Sequence, residues 1–330
     1  MNLLKLLCAT LVAGLAASAP AHAQNPAQNP AAGYPNKPVK LITPFPPGGA
    51  ADNIARAAAL GLQQTWGQSV IVENRPGAGG MIGAEAAARS ANDPYTLFLG
   101  SIGVMTVNQH LYKDMRYDAV KDFTPISMLI KMPSFLVVNQ TVPANNVAEF
   151  IKYARANPGK LSFGSAGNGT TEQTNAVMLA KMANLDMVHV PYKGIAPALT
   201  DLIGGQINFI IEQSVAILPM IKANKVKVLA VTTAQRSPAL PNVPTIAETV
   251  PGFDAYAWYA LYAPAGIPKE IQHKINADLV KSFNSADNKA RFADIGGEVF
   301  TSTPEALASF QAAEISRWGA LVKSAGIKPD

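Results

Sequence analysis

The sequence is poor in cysteine: it has one, Cys8, close to the N-terminus. Beyond residue 23 there is none, which excludes disulfide staples, thiol catalysis and cysteine metal ligation from the body of the chain. Histidine is scarce too. Of four, His22 lies in the leader, and His110, His189 and His273 are isolated from one another. Nothing local builds a metal or triad site from them. Hydrolase and nucleotide signatures are missing: no G-x-S-x-G, no H-E-x-x-H and no G-x-x-x-x-G-K-[ST]. Gly167-Asn168-Gly169 comes closest to a dinucleotide fingerprint, but Glu172 stands where the last glycine belongs. After the leader no segment offers the ~20 apolar residues of a membrane-spanning helix. Charge of one sign is not concentrated either. Lys and Arg number 27 against 22 Asp and Glu, spread without long like-charged blocks, so no nucleic-acid patch is expected.

What is there begins with the leader. Lys5 is followed by an apolar run from Leu6 to Ala17, and Ala21-His22-Ala23 supplies small residues at a cleavage site. This pattern predicts a secretory signal peptide over residues 1–23, cut after Ala23, and hence export to the periplasm. Cys8 sits too early, and behind the wrong residues, for a lipoprotein anchor. Residues 24–33 are small, polar and rich in proline, which predicts a disordered leader. The remaining chain, about 300 residues, is twice the usual domain size and can bury two cores without staples.

From Tyr34 onward strands alternate with helices. The pattern predicts strands at Val39–Thr43, Ser69–Glu73 and Tyr95–Leu99, with helices near Ala51–Trp66 and Ile82–Ser90 between them. It restarts with strands at Phe135–Val138, Leu161–Gly164, Met187–Val190, Ile207–Ile211 and Val226–Val231. Helices near Val147–Ala156, Glu172–Asn184 and Ala196–Ile203 intervene. Tyr256–Tyr262 alternates like a strand, and the tail is helical near Lys269–Phe283 and Pro304–Ser324. Two α/β units in tandem, each with a mainly parallel sheet flanked by helices, predict two lobes. No short repeat is present.

Two loops carry the chemistry. Pro46-Pro47-Gly48-Gly49-Ala50-Ala51-Asp52 joins the first strand to the first helix. Ser165-Ala166-Gly167-Asn168-Gly169-Thr170-Thr171 does the same in the second unit. Each places flexible backbone and a helix start, with unpaired N–H groups, beyond the carboxyl end of a strand. Either alone reads equally as a capping turn. As a pair they suit an anion held between lobes, with no cationic side chain required. A third Gly-rich turn, Gly77-Ala78-Gly79-Gly80, could line the same crevice but reads first as a structural turn.

Taken together, several motifs resemble the solute receptors of tripartite tricarboxylate transporters, the Bug-type receptors. They are Tyr34-Pro35-Asn36-Lys37-Pro38-Val39-Lys40, the Pro46-to-Asp52 loop, Glu73-Asn74-Arg75-Pro76-Gly77-Ala78-Gly79-Gly80 and the Ser165-to-Thr170 loop. Val190-Pro191-Tyr192-Lys193-Gly194, Leu229-Ala230-Val231-Thr232, Pro244-Thr245-Ile246-Ala247-Glu248 and Ala263-Pro264-Ala265-Gly266 continue the match in order. The resemblance implies a periplasmic binding protein of Venus-flytrap form, with one lobe from 34–134 and 258–330 and the other from 135–257. It implies that a small carboxylate (a di- or tricarboxylate, an acidic amino acid or an aromatic acid) is delivered to membrane permease subunits. A monomer with no cofactor or metal, and no catalysis, is expected. Phe45, Gly48, Gly49, Ala50, Ala51 and Asp52 should line one wall of the site. Ser165, Asn168, Gly169 and Thr170 should line the other, with Ser101 and Tyr192 as further candidates.

The sequence departs from the family at three points. Asn92-Asp93-Pro94-Tyr95-Thr96 replaces the usual A-x-P-D-G-Y-T turn, Gln173 stands where many relatives have histidine, and Glu212 stands where the strand usually ends in Asp. Glu212 could bond a ligand's amine or hydroxyl, or be structural. Two rival functions remain open at this level: a sensor docking onto a membrane signalling protein, and an exported hydrolase using Ser165 with His189.

Overall fold

A computed structural model describes residues 29–325; the expected signal peptide and its expected cleavage point lie outside them. Asn29–Gly33 form a turn whose Ala31 packs against the first core, and Tyr34 beside it is buried. The first unit runs β1 (Val39–Thr43), α1 (Ala50–Trp66), β2 (Val70–Asn74), α2 (Met81–Ala88) and β3 (Thr96–Ser101). A π-helical turn (Gly103–Val107), the short α3 (Asn108–Leu111) and the long β4 (Phe123–Met132) follow. The second unit holds β5 (Ser134–Val138), α4 (Val147–Ala156), β6 (Ser162–Ser165), α5 (Thr171–Ala183) and β7 (Val188–Pro191). It continues with α6 (Ile195–Ile203), β8 (Phe209–Gln213), α7 (Ser214–Lys222) and β9 (Lys227–Val231). Then β10 (Ala257–Pro264), α8 (Lys269–Phe283), α9 (Ala286–Ala293), β11 (Glu298–Val299) and α10 (Pro304–Ala325) close the first unit.

Two sheets result, one per lobe: β11-β4-β10-β3-β1-β2 and β7-β6-β8-β5-β9. The chain passes between them at Pro133 and again between Val231 and Ala257. Each sheet is mixed. The parallel character expected from the βαβ pattern is confined to β1, β2 and β3 in one lobe and β6, β7 and β8 in the other. The pairings of β10 and β5 are antiparallel, because these strands enter their sheets directly after an interlobe crossing rather than after a crossover helix, and the short β11 also lies antiparallel to β4.

Residues 123–132 were not legible as a strand because Pro125 interrupts the run. Proline cannot donate to a ladder and is accommodated at bulges. Here Pro125 faces Tyr262 at a register shift between Leu261 and Tyr262 on β10. The strand β10 is buried at every position, since helices cover both of its faces. The departing turn before β3 is held by Asp93, whose carboxylate accepts from Tyr95 N–H at 3.0 Å and from Thr96 Oγ1 at 2.7 Å.

Candidate functional site

Pro44, Pro46 and Pro47 end β1, because proline supplies no N–H to continue pairing. Gly49 then caps α1 with extended backbone and no side chain, so no side-chain oxygen occupies the N–H groups of the first turn. Asp52 is not among the residues that line the cavity described below. Its carboxylate accepts from Gly48 N–H, Arg56 Nε and Asn74 Nδ2, each at 3.0 Å, while Asn74 Nδ2 also donates to Phe45 O at 3.0 Å. Burial alone would raise the Asp52 pKa. The hydrogen bonds from Arg56, Gly48 and Asn74 outweigh it and hold the group below the ordinary aspartate value. Asp52 is therefore the peg that fixes the loop.

The second loop repeats the device with different pegs. Thr170 caps α5 without a side-chain bond to the helix, and its hydroxyl donates instead to Gly167 O at 2.8 Å. Ser165, at the end of β6, is fully buried, and its Oγ lies 2.6 Å from His189 Nε2 on the neighbouring strand β7. The His189 ring stacks on Phe163, with centroids 4.9 Å apart. Gln173 closes the network. Gly169 N–H can only donate, and it lies 2.6 Å from Gln173 Oε1. That leaves Gln173 Nε2 facing His189 Nδ1 at 3.1 Å. Nδ1 is thus an acceptor, the ring proton sits on Nε2, and His189 donates to Ser165.

Between the loops lies a cavity of about 530 Å³. Phe45, Gly48, Gly49, Ala50 and Ala51 form one wall and Thr170, Thr171 and Glu172 the other, with Ser101, Glu212, Gln213 and Tyr259 also lining it. An apolar flank comes from Ile195, Leu199, Val215 and Met220. At the floor, Tyr259 OH donates to Gln213 Oε1 at 2.8 Å, and Gln213 Nε2 donates to Glu172 Oε1 at 3.0 Å. Burial pushes the Tyr259 hydroxyl well above its ordinary range, and the Glu172 and Glu212 charges add to this. Glu212 is buried, and its Oε2 has no hydrogen-bond partner. Desolvation, with the Glu172 charge nearby, raises its pKa well above the ordinary glutamate value. Among the described residues, Lys193 is the one lysine or arginine that lines the cavity, and it is exposed.

The lobes also touch through glycines. A Cβ on Gly103 would stand 2.5 Å from Gly169 O, and one on Gly79 would collide with Asn168 O. Nothing larger than hydrogen fits at either contact.

Of the residues expected at the site, Phe45, Gly48, Gly49, Ala50, Ala51, Ser101, Thr170 and Glu212 line this cavity. Asp52, Ser165, Asn168, Gly169 and Tyr192 are not among its lining residues. Asn168 and Gly169 abut the first lobe, and Tyr192 OH donates to Asp201 at 2.7 Å, its pKa pushed up to about 12 by burial and that bond. Glu172, Gln213 and Tyr259 were missed. Glu172 reads as a first-turn helix acid, and Tyr259 sits in an apolar run whose default reading is core.

Two α/β lobes joined by a double crossing, with matched strand–loop–helix walls around one cavity, define a two-lobe solute-binding protein. The family model described as the tripartite tricarboxylate transporter family receptor matches residues 54–327, and the chain belongs to that family. It is a family of periplasmic substrate-binding receptors, not of enzymes. Among solved structures, Rpa4515 of R. palustris with adipate is 36% identical, with a TM-score of 0.87 over 90% of this chain and 100% of that one. The periplasmic binding protein BugD is 34% identical, with a TM-score of 0.85 and the same coverage. MatC of Rhodopseudomonas palustris, with bound malate, is 33% identical, with a TM-score of 0.82 over 88% of this chain and 100% of that one.

Proposed function

We propose that this protein, exported and cut after Ala23, captures a small carboxylate between its lobes and delivers it to the membrane permease subunits of a tripartite transporter. The observation that carries this reading is the pair of helix starts that open on one cavity, one capped by Gly49, which has no side chain, and the other by Thr170, whose side chain is not bonded to its helix. Such N–H groups hold an anion without a cation, because hydrogen bonds to a charged group contribute roughly 1.5–3 kcal/mol each. The adipate and malate bound by Rpa4515 and MatC support an acid as ligand. A ligand contacting both loops favours the closed arrangement, and that difference in affinity drives the population shift.

Hydrolysis by Ser165 is disfavoured by the proton on His189 Nε2. A base must present a lone pair to the hydroxyl, and this ring presents its proton instead.

The test is a thermal-shift screen of the mature protein, refolded to remove ligand, against carboxylates, sugars and neutral solutes. Ligand at about 100 times Kd should add about 2.7 kcal/mol of stability. A shift with sugars and none with any acid overturns the reading. N-terminal sequencing of the exported protein should begin at Gln24, and uptake of the acid by cells should require both this protein and the permease subunits.

A further inference from the structure

A second cavity, of about 470 Å³, lies at the hinge and shares no lining residue with the cleft. Its position follows from strand order. In the first sheet β4 and β10 adjoin the crossings, with β3 and β1, which carry the cleft, on one side and β11 on the other. In the second sheet β8 and β6 carry the cleft, while β5 and β9 hold the crossings at the opposite edge. The crossings therefore run between the two cavities, and Pro133 and Tyr256 on them line the hinge cavity. Residues 296–298 of the first lobe form one wall. Residues 235–238 form the other, followed by Ala239, Leu240 and Val243, which pack on the second lobe's core. The walls are close, since a Cβ on Gly296 would stand 3.1 Å from Ser237 Oγ.

Two cations line this cavity, Lys131 and Arg236. Arg236 is neutralised by Glu248, its Nε and Nη2 donating to the two carboxylate oxygens at 2.9 and 2.8 Å. Lys131 is not. Its Nζ lies 3.7, 4.9 and 5.7 Å from the ring centroids of Phe300, Tyr256 and Phe310, and it forms no ion pair among the described residues. Aromatic faces hold an ammonium in place without cancelling its charge. Glu298 faces Lys131 in register across β11 and β4 but is exposed and makes no ion pair with it.

We infer that the hinge cavity is a second ligand site, for a small organic anion with an apolar body, and that its occupant favours the closed arrangement. Lys131 offers N–H donors to an oxyanion. Met132, Pro133, Pro238 and the Tyr256 ring cover the apolar part. The lobes turn about the crossings, so spreading the cleft on one side of them brings the walls on the other side together. A molecule lodged between residues 296–298 and 235–238 opposes that motion. It thereby raises the cleft's affinity for its own ligand, a coupling between two separate sites. The hinge site itself does not rest on what the cleft holds.

The probe is 4-phenylbutyrate, with 4-phenylbutanol and 4-phenylbutylamine presenting the same body without charge and with the opposite charge. In amide NMR of the mature protein, phenylbutyrate should shift Gln235, Ser237, Gly296 and Gly297. It should bind there at least about tenfold tighter than the alcohol, as a charge-assisted hydrogen bond predicts, and the amine should bind least. Lys131→Met should weaken it by roughly tenfold or more and leave any shifts at the cleft amides Gly48 to Ala51 unchanged. Lys131→Gln is the second variant should that one misfold, and the unliganded melting temperature controls for folding. Small-angle scattering should show phenylbutyrate contracting the protein, and not the Lys131→Met variant. Hinge amides that stay unmoved overturn the site. An alcohol that binds as well as the acid, or hinge shifts that survive Lys131→Met, overturn the anion assignment. Binding without contraction, or contraction that persists in Lys131→Met, assigns closure to the cleft alone and overturns the coupling.

Discussion

Tyr259 on β10 of the first lobe donates its hydroxyl proton to Gln213 Oε1, at the end of β8 in the second lobe, at 2.8 Å. The bond is buried, and Gln213 passes it on to Glu172. A single side chain thus ties the floor of the cleft across the lobe boundary.

Tyr259→Phe removes that tie and leaves Gln213 Oε1 without its donor. A buried unsatisfied group costs about 1–3 kcal/mol. The ring keeps its packing, so the cost should fall on the closed arrangement. Ligand affinity is expected to drop roughly 5- to 150-fold, with the melting temperature of the unliganded protein changed little. Titration calorimetry beside a thermal melt checks both; an unchanged Kd would show that the bond does not serve closure.

Between the lobes, Gly103 allows the π-helical turn to rest on Gly169 O. The backbone of Gly103 has no left-handed φ, so alanine is unstrained there. Gly103→Ala is expected to fold normally and to wedge the lobes apart. Small-angle scattering should show ligand no longer contracting the protein, and the ligand-induced thermal shift should shrink. Full contraction in the variant would place closure elsewhere.

Asp52 couples loop shape to pH. Its folded pKa lies below the ordinary value of about 3.9. The stability it contributes is therefore fully present above that value and lost as pH falls through the lower folded pKa. Asp52→Asn should destabilise the protein by about 1.5–3 kcal/mol at neutral pH, the scale of hydrogen bonds to a charged group. The deficit should narrow in acid. Urea melts at neutral and strongly acidic pH measure the two gaps, and equal gaps would contradict a charged role.

Gln173 sets the tautomer of His189. Gln173→Glu places a carboxylate oxygen where Nε2 now faces Nδ1, and should move the ring proton from Nε2 to Nδ1. Nitrogen NMR of the ring reads this directly. In the unmodified protein the Nε2–H form is expected, together with no turnover of nitrophenyl esters above buffer. A protein already in the Nδ1–H form would restore Ser165 as a nucleophile candidate.

The sequence by itself determined whatever depends on neighbours along the chain. The Pro44-to-Pro47 run had to end β1, the glycines after it had to turn, and the apolar spacing of Ile54, Ala58 and Leu62 had to bury one face of α1. Hence both strand–loop–helix walls, and with them the two-lobe class, could be read directly. Only the tertiary structure decided which side chains those walls present. Asp52 lies inside the loop motif, yet Arg56 and Asn74 turn it away from the cavity. Ser165 and His189 are 24 residues apart and meet because β6 and β7 pair in parallel. Tyr259 and Gln213, 46 residues apart, meet because the chain returns to the first lobe through β10. The carboxyl of Glu212 is isolated for the same reason: elements distant in sequence cover it and supply no donor. Burial and partnership are properties of the packed chain, and local pattern carries no record of them.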